Sequence, residues 1–305
     1  MQHPLTATAP NLPAPDAPSV GPTTDAAPAQ SEPVVETIIA PSKGWIGINW
    51  AELFHTRELL YFLVWRDIKV RYKQTALGAL WAVLQPLLLM VVFTLFIGQL
   101  RGVGPGTVPY PVFSLAALVP WTFFANAVAG AANSVVLNSQ LVSKVYFPRV
   151  LIPTAAAASY LIDLAASFVI LLILMAGYGV TPSSRIVLLP IFTVYVVAVA
   201  SGIGLLLAAL NVKYRDVRYT VPFLIQFWLF ASPVAYQFKV VGSQYRLIFA
   251  LNPMVTGIDG FRSSMIGSGG VPLNVLLVST GSAVALCAMG VLYFRRVERT
   301  FADVI

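Results

Sequence analysis

A basic and aromatic stretch, residues 140–153, lies between two long apolar runs. The residues at its centre are Lys144, Val145, Tyr146, Phe147, Pro148 and Arg149. A short segment of this kind favours a helix along a membrane surface, with its cations in water and its rings among the lipid headgroups. Pro148 predicts that the helix ends near Phe147. These residues leave two interpretations open: an ordinary loop that follows the charge rule of membrane proteins, and a contact on which another protein pushes.

An aromatic stripe follows one face of a later apolar run. It consists of Tyr219, Phe223, Phe227 and Phe230, with Gln226 beside it. Aromatic faces stack against the C–H faces of sugar rings, so the stripe is suited to a path along which a glycan moves. Rings serve helix packing and interfacial belts more often. The residues alone therefore favour packing and keep the glycan path as the alternative.

Asp163 is the single charge in the middle of an apolar run. An acid at membrane depth is costly and indicates a functional role such as a proton relay. A lone carboxylate without a histidine or a second acid makes a poor relay. We therefore expect a protonated or hydrogen-bonded acid that ties two helices together.

The composition is that of a polytopic membrane protein. Of the 305 residues, 58% are hydrophobic and 10% are charged, and the mean hydropathy is +0.79; soluble domains carry about 25% charged residues. The net charge of +7 comes from cations at the ends of apolar runs, which indicates membrane topology and not nucleic-acid binding. The sequence has no HExxH, GxSxG or GxxxxGK[ST] motif, so we expect no metal, no cofactor and no nucleotide site in this chain.

The chain has two parts that differ in composition. Residues 1–43 form a Pro/Ala-rich tail that we expect to be disordered and cytoplasmic, because it has too few apolar residues to fold. Residues 44–305 form the membrane domain. It begins with a helix over residues 49–74 that carries cations on one side and leucines on the other, which predicts a position in the membrane interface. Within this helix, Asp67 and Arg71 have the spacing of a favourable ion pair.

Six apolar runs predict six transmembrane helices between residues 77 and 293. They cover residues 77–100, 112–132, 152–177, 186–210, 221–238 and 273–293, each close to the length that a bilayer requires. Most lysines and arginines lie before the first run, in the second and fourth loops and after the last run. The charge rule therefore predicts that both termini are cytoplasmic.

The segment between the fifth and sixth runs is unusually apolar for an outward-facing loop. Residues 247–251 and 254–266 are too apolar for a free loop and too short to span, and Asn252 with Pro253 marks a turn between them. We expect a re-entrant hairpin that is covered by protein. Two helices lying flat on the outer surface are the alternative.

Four stretches in order resemble one family. They are WRDIKVRYKQTALGALWAVLQPLL (65–88), KVYFPRVLIP (144–153), NVKYRDVRYTVPFLIQFWLFASPVAY (211–236) and LNPMVTGIDGFR (251–262). Together they resemble the polysaccharide-export permeases of the type-2 ABC exporter class, which handle O-antigen, capsule or teichoic acid. The resemblance covers residues 45–299, and the Pro/Ala-rich tail has no counterpart in it.

The resemblance implies an all-α, inner-membrane homodimer with two ATP-binding ABC subunits, which bind ATP and Mg. Residues 144–149 would then couple to the ATPase. The substrate would be a polysaccharide on a polyprenyl pyrophosphate that enters between the first and fifth spans. The implied site residues are Arg66, Lys69 and Arg71 near the pyrophosphate, the stripe Tyr219, Phe223, Gln226, Phe227 and Phe230 along the glycan path, and Asn252, Pro253, Asp259 and Arg262 at the outer gate.

Three alternatives compete with this interpretation. A type-2 exporter of drugs or small lipids needs an apolar cleft and no aromatic tunnel. A membrane enzyme acting on prenyl-linked sugars needs clustered carboxylates, whereas the acids of this sequence are scattered. An ion-coupled carrier has Asp163 as its only support.

Overall fold

The computed structural model describes residues 56–73, 78–99, 108–145, 147–267, 270–299 and 301. The predicted tail, the first part of the predicted interfacial helix and Tyr146 lie outside these residues. All described residues belong to one unit, Asn49–Ile305. Within the described ranges the chain is helical and contains no strand.

Eleven α-helices make up the described part of the chain. They are α1 (Arg57–Lys73), α2 (Gly78–Phe96), α3 (Tyr110–Leu137), α4 (Ser139–Lys144), α5 (Leu151–Ala158), α6 (Leu161–Gly177), α7 (Leu189–Lys213), α8 (Val217–Phe230), α9 (Arg246–Ala250), α10 (Pro253–Ile266) and α11 (Leu273–Glu298). Short 3₁₀ helices, Ser184–Leu188 and Phe238–Val240, precede α7 and follow α8.

Helix α3 is the centre of the fold. It is apolar around its whole circumference and buried over most of its length, which is the pattern of a helix surrounded by other helices. Helices α2, α5, α6, α7, α8 and α10 all pack against it. The core that they share is therefore built around one helix and not between two layers.

Helices α7 and α11 approach each other closely because small residues face each other at their contact. A Cβ atom placed on Gly290 would lie 2.0 Å from the carbonyl oxygen of Gly202, and one on Gly202 would lie 2.6 Å from the sulfur of Cys287. Gly260 on α10 is similarly close to the ring of Phe192. Small residues that allow backbones to touch are typical of helix packing in membranes.

Four described helical stretches are long and apolar enough to cross a membrane: Tyr110–Leu137, Leu151–Gly177, Ser184–Lys213 and Leu273–Glu298. The first predicted run contains a shorter apolar helix, Leu80–Phe96, and its predicted ends lie outside the described residues. The third run is interrupted at Ser159 and Tyr160, between α5 and α6.

The fifth predicted run differs most from expectation. Its helix, α8, has 14 residues and ends at Phe230, whereas the apolar run continues to residue 238. The chain turns after Phe230 because the Asn252 amide donates to the Ala231 carbonyl and the Ser232 hydroxyl at 3.0 and 2.9 Å. Local hydropathy cannot reveal a turn that is fixed by a residue about twenty positions away.

In the segment after α8, helix α10 packs inside the protein, whereas α9 is only partly buried. All 14 residues of α10 are buried, and the turn before it contacts α11 well inside that helix: Ser282 donates to the Leu251 carbonyl at 2.6 Å. The far end of α10 meets the start of the fourth apolar run, where the Ser183 amide donates to the Met265 carbonyl at 2.8 Å. Gly267 ends α10 with a φ of +67°, a left-handed conformation that favours glycine.

Candidate functional site

The aromatic stripe predicted from the sequence lies on the outside of the chain. Tyr219, Phe223, Phe227 and Phe230 on α8 are 66–78% exposed, and Gln226 is exposed as well. Val221 and Leu229 on the opposite side are buried. The rings therefore do not pack against the described part of their own chain. Their partner must be lipid, another chain or a substrate.

A cleft of about 350 Å³ opens beside this stripe, between α2, α3 and α8. Its polar lining consists of Gln85 and Gln226, and its aromatic lining consists of Trp81 and Trp121. Apolar side chains complete the wall: Leu88, Leu89, Val92, Ala125, Ile225 and Leu229. Amides that can donate and accept, next to the flat faces of indoles, provide what a sugar ring needs: partners for hydroxyl groups and a surface for C–H bonds.

Sequence reasoning missed the α2 and α3 walls of this cleft. Trp81, Gln85 and Val92 recur at helical spacing along α2, and that spacing was the available signal. The Asn126 amide donates to Gln85 Oε1 at 3.3 Å and links the two walls. Only the approach of α8 turns these side chains into a cleft, and the sequence does not reveal which helices are neighbours.

The cations predicted to attract a pyrophosphate lie on α1, and two of them already have partners. Arg66 binds Asp67 at 2.8 Å and the side-chain oxygen of Asn138 at 2.9 Å. Lys69 lies over the ring of Trp65, 5.3 Å from its centroid, and is exposed. The predicted pairing of Asp67 with Arg71 is replaced by the pair of Asp67 with Arg66 and by a longer-range partner for Arg71.

That longer-range partner is Asp163. Arg71 Nη1 lies 3.3 Å from the Asp163 carboxylate, its Nη2 donates to the Ser159 hydroxyl at 2.7 Å, and its guanidinium lies 3.5 Å from the centroid of the Tyr160 ring. Tyr72 donates a hydrogen bond to the same carboxylate. Burial, and then the neighbouring Asp163, raise the pKa of Tyr72 to about 12, so the phenol keeps its proton.

This cluster confirms the expected role of Asp163 as an acid that ties helices together. It joins the end of α1 to the start of α6, beside the interruption in the third apolar run. The apolar side of α1 runs along α5 in the same direction, since Leu63 packs against Leu151 and Ala155. Within the described ranges, no three His, Cys, Asp or Glu side chains come together as metal ligands.

The basic, aromatic stretch begins as a helix that ends earlier than predicted. Helix α4 ends at Lys144, and Val145 is already extended, so Pro148 does not end it. Lys144 and Val145 are exposed. Phe147 is half-buried and packs against two apolar clusters of its own chain. Arg149 donates to the carbonyl of Glu298, at the end of α11.

The four residues predicted at an outer gate lie in α10 or directly before it, and their side chains form two separate groups of contacts. Asn252 caps α10 by accepting from the Met254 amide at 2.9 Å, and it also accepts from the Trp228 indole at 2.8 Å. Arg262 is 1% exposed; it binds Asp259 and donates to the Pro233 carbonyl at 3.1 Å. Pro253 is buried at the first turn of α10, the position that proline favours.

Apolar helices around a buried central helix, with exposed rings along one side, define a multi-pass membrane protein. A family model described as ABC-2 type transporter matches residues 58–266. The chain therefore belongs to the ABC-2 type transporter family.

Three relatives illustrate the family. The O-antigen export system permease protein RfbA of Myxococcus xanthus is 34% identical over 215 residues, which cover 70% of this chain and 82% of the relative. A protein of the same name from Klebsiella pneumoniae is 26% identical over 250 residues, 81% of this chain and 95% of its own length. The polysialic acid transport protein KpsM of Escherichia coli is 24% identical over 222 residues, 70% of this chain and 85% of its own length.

Proposed function

We propose that this chain is the permease subunit of an ATP-driven exporter that moves a polyprenyl-pyrophosphate-linked, O-antigen-like polysaccharide across the inner membrane. Family membership supports the exporter class. The names of the relatives, O-antigen export permeases and a polysialic acid transporter, support a polysaccharide as the substrate. The cleft between α2 and α8 is the observation that carries the proposal, because it joins sugar-compatible groups to a lateral opening.

The lipid-linked glycan enters sideways between α2 and α8. Its sugars contact the amides and indoles of the cleft and then the rings of the α8 stripe, which hold them through weak, repeated contacts and so allow movement. Lys69 is the most exposed of the three predicted cations on α1, and it attracts the pyrophosphate. Arg66 and Arg71 contribute by holding α1 in place.

A separate ATPase supplies the energy, because the sequence has no phosphate-binding loop of its own. Two permease chains form a homodimer above two ATP-binding subunits, which hold ATP and Mg. The exposed residues Lys144 and Val145, together with Tyr146, form the coupling contact. Phe147 acts from inside the permease and keeps this stretch in position.

The topology that fits this function has six spans and two cytoplasmic termini. Helices α2 and α8 complete the set in addition to the four long stretches. The turn between α9 and α10 contacts α11 at Ser282, nine positions after its start at Leu273, which corresponds to a depth of about 14 Å. This contact and the burial of α10 support a re-entrant hairpin that closes the outer end of the path.

The alternative functions have less support. An exporter of drugs or small lipids does not need paired amides beside indoles. A membrane enzyme needs a carboxylate cluster, and the described acids Asp163 and Asp259 are each bound to an arginine. An ion-coupled carrier needs an acid that is free to bind the ion, whereas Asp163 is held by Arg71 and Tyr72.

Reconstitution tests the proposal. The chain is placed in liposomes with its ATP-binding subunit facing outward, and lipid-linked polysaccharide is added outside. We expect ATP-dependent protection of the glycan from an added glycosidase, and no phosphate release by the permease alone. Transport of a fluorescent lipid without the glycan would favour the drug or lipid exporter. ATP hydrolysis by the isolated chain would contradict the assignment of hydrolysis to a separate subunit.

A further inference from the structure

Arg149 connects the coupling stretch to the last helix of the same chain. Its guanidinium donates to the carbonyl of Glu298, the last residue of α11. The final carbonyls of a helix lack partners within the helix and carry the negative end of its dipole. The Arg149 guanidinium brings a donor and a positive charge to this end, so Arg149 caps α11 although it lies 149 residues away in sequence.

An apolar contact reinforces this connection. Phe301, just after α11, is fully buried and meets the ring of Phe294 edge-on, with centroids 5.3 Å apart. The cluster that contains both rings also includes Val142 of α4, and Phe147 packs against it. The end of α11 is therefore attached to both sides of the exposed segment Ser143–Val145.

The opposite half of α11 holds the turn of the hairpin. Ser279 donates to the carbonyl of Asn252 at 3.3 Å, and Ser282 donates to that of Leu251 at 2.6 Å. These serines lie 16–19 residues before Glu298, or about 24–29 Å along the helix. One continuous helix thus joins the coupling stretch to the hairpin turn across most of the bilayer thickness.

We propose that Arg149 and Phe301 are positioning residues that transmit movement of the coupling stretch through α11 to the outer hairpin. The inference rests on the proposed function, in which an ATPase pushes on residues 144–146. A push on that stretch then moves two parts of the chain. It moves the third apolar run, which follows the stretch directly in sequence, and it moves the hairpin through α11. Asn252 transmits the movement of the hairpin to α8, because it forms hydrogen bonds with Trp228 and Ser232.

The alternative role for Arg149 is that of a charge at the edge of the contact with the ATPase. A rim charge affects the rate of association. A cap on α11 leaves association unchanged and affects the work obtained per ATP. The two roles therefore predict different defects in the same variant.

The test compares Arg149→Gln with Arg149→Lys and with a control, Arg299→Gln, in the complex of permease and ATP-binding subunit. Arg299 is an exposed cation that follows Glu298 directly, so its loss changes the local charge but not the cap. Each variant also carries Cys287→Ser, and Leu247→Cys on the hairpin bears a fluorophore. Leu247 is 53% exposed, which makes it accessible to labelling. Assembly, ATP hydrolysis, the ATP-driven fluorescence change and glycan export are measured together.

We expect Arg149→Gln to assemble and hydrolyse ATP but to lose about tenfold in fluorescence change and export per ATP, as fits a typical coupling between two sites. Arg149→Lys retains a donor and should keep most of both signals, and Arg299→Gln should match the unmodified complex. Phe301→Ala should reproduce the uncoupling of Arg149→Gln.

Normal export per ATP in Arg149→Gln, or failure of the folded variant to bind the ATP-binding subunit, would overturn the inference. If Arg149→Gln does not fold, Phe301→Ala provides the test. Normal export per ATP by Phe301→Ala would then overturn the inference. Absence of glycan export by the unmodified complex, with a normal hairpin signal, would instead contradict the proposed function.

Discussion

At the residue scale, Arg71 shows how a cation that looks like a ligand site in the sequence becomes a structural tie. It contacts a carboxylate, a hydroxyl and an aromatic face that all belong to the third apolar run. Gly130 makes room for this arrangement, since a Cβ there would lie 2.5 Å from the Tyr160 ring. The cost of burying the charge is offset by these contacts, so Arg71 holds the last turn of α1 in place.

Removing the Asp163 charge should weaken this tie. We expect Asp163→Asn to lower the free energy of unfolding by about 2 kcal/mol, because Arg71 and Tyr72 lose a charged acceptor. Denaturant titration in detergent measures the change. Asp67→Asn is the control: its pair with Arg66 is more exposed, and its loss should cost less than about 1 kcal/mol. Equal effects of the two substitutions would contradict a special role for Asp163.

The exposed rings of α8 permit a separation of packing from transport. Phe223→Leu, Phe227→Leu and Phe230→Leu should each change stability by less than about 0.5 kcal/mol, because the rings touch little of their own chain. Each should slow glycan export about two- to tenfold, the range expected for one lost aromatic contact.

Leu277→Ala on α11 is the control for these variants, since Leu277 is 62% exposed and lies outside the cleft. It should export at the unmodified rate. Phenylalanine variants that lose stability but export normally per folded molecule would show that the rings serve assembly and not the path.

At the element scale, the sequence predicted the helices better than their partners. The apolar side of α1, the long apolar helices and the turn at Asn252 are local features, and the structure contains each of them. The protein-covered position of α10 agrees with the prediction, whereas the interruption after α5 and the early end of α8 were not predicted. Each depends on contacts between distant residues, such as Arg71 with Asp163 or Asn252 with Ala231.

The same limit applied to the candidate site. The α8 stripe is a periodic pattern on one helix, so the sequence revealed it. The cleft needs three helices side by side, and the coupling stretch meets α11 through Arg149 across half the chain. A single sequence reports which face of a helix is apolar, but it does not report which surface covers that face.

Two glycines of α11 provide a test of its packing against α7. Gly290→Ala would place a Cβ 2.0 Å from the backbone of Gly202, and backbone cannot move aside easily. We expect a loss of about 1–3 kcal/mol in the free energy of unfolding. Gly281→Ala on the same helix meets nothing within 4 Å, and it should be neutral or stabilise the protein by up to about 1 kcal/mol. Similar values for the two variants would contradict the close contact of α7 with α11.

At the scale of the whole molecule, a series of contacts joins the coupling stretch to α11, the hairpin turn and α8. The coupling stretch holds one end of α11, the hairpin turn holds the other half, and Asn252 joins that turn to α8. The proposed substrate path lies beside α8 and not inside the α3 core. In the proposed exporter, ATP-driven movement would reach the path through the surrounding helices while the central helix keeps its packing.

This arrangement depends on the coupling stretch and the hairpin facing opposite sides of the membrane. Val145 and Leu247 provide a matched pair, because their side chains are 51% and 53% exposed. In a Cys287→Ser background, each is replaced by cysteine and treated with a membrane-impermeant thiol reagent. We expect Leu247→Cys to react in right-side-out vesicles and Val145→Cys to react in inside-out vesicles, since the cations beside the coupling stretch predict a cytoplasmic position for it. Val145→Cys should also crosslink to the ATP-binding subunit. Labelling of both positions from the same side would show that the orientation, and with it the coupling role of residues 144–149, is wrong.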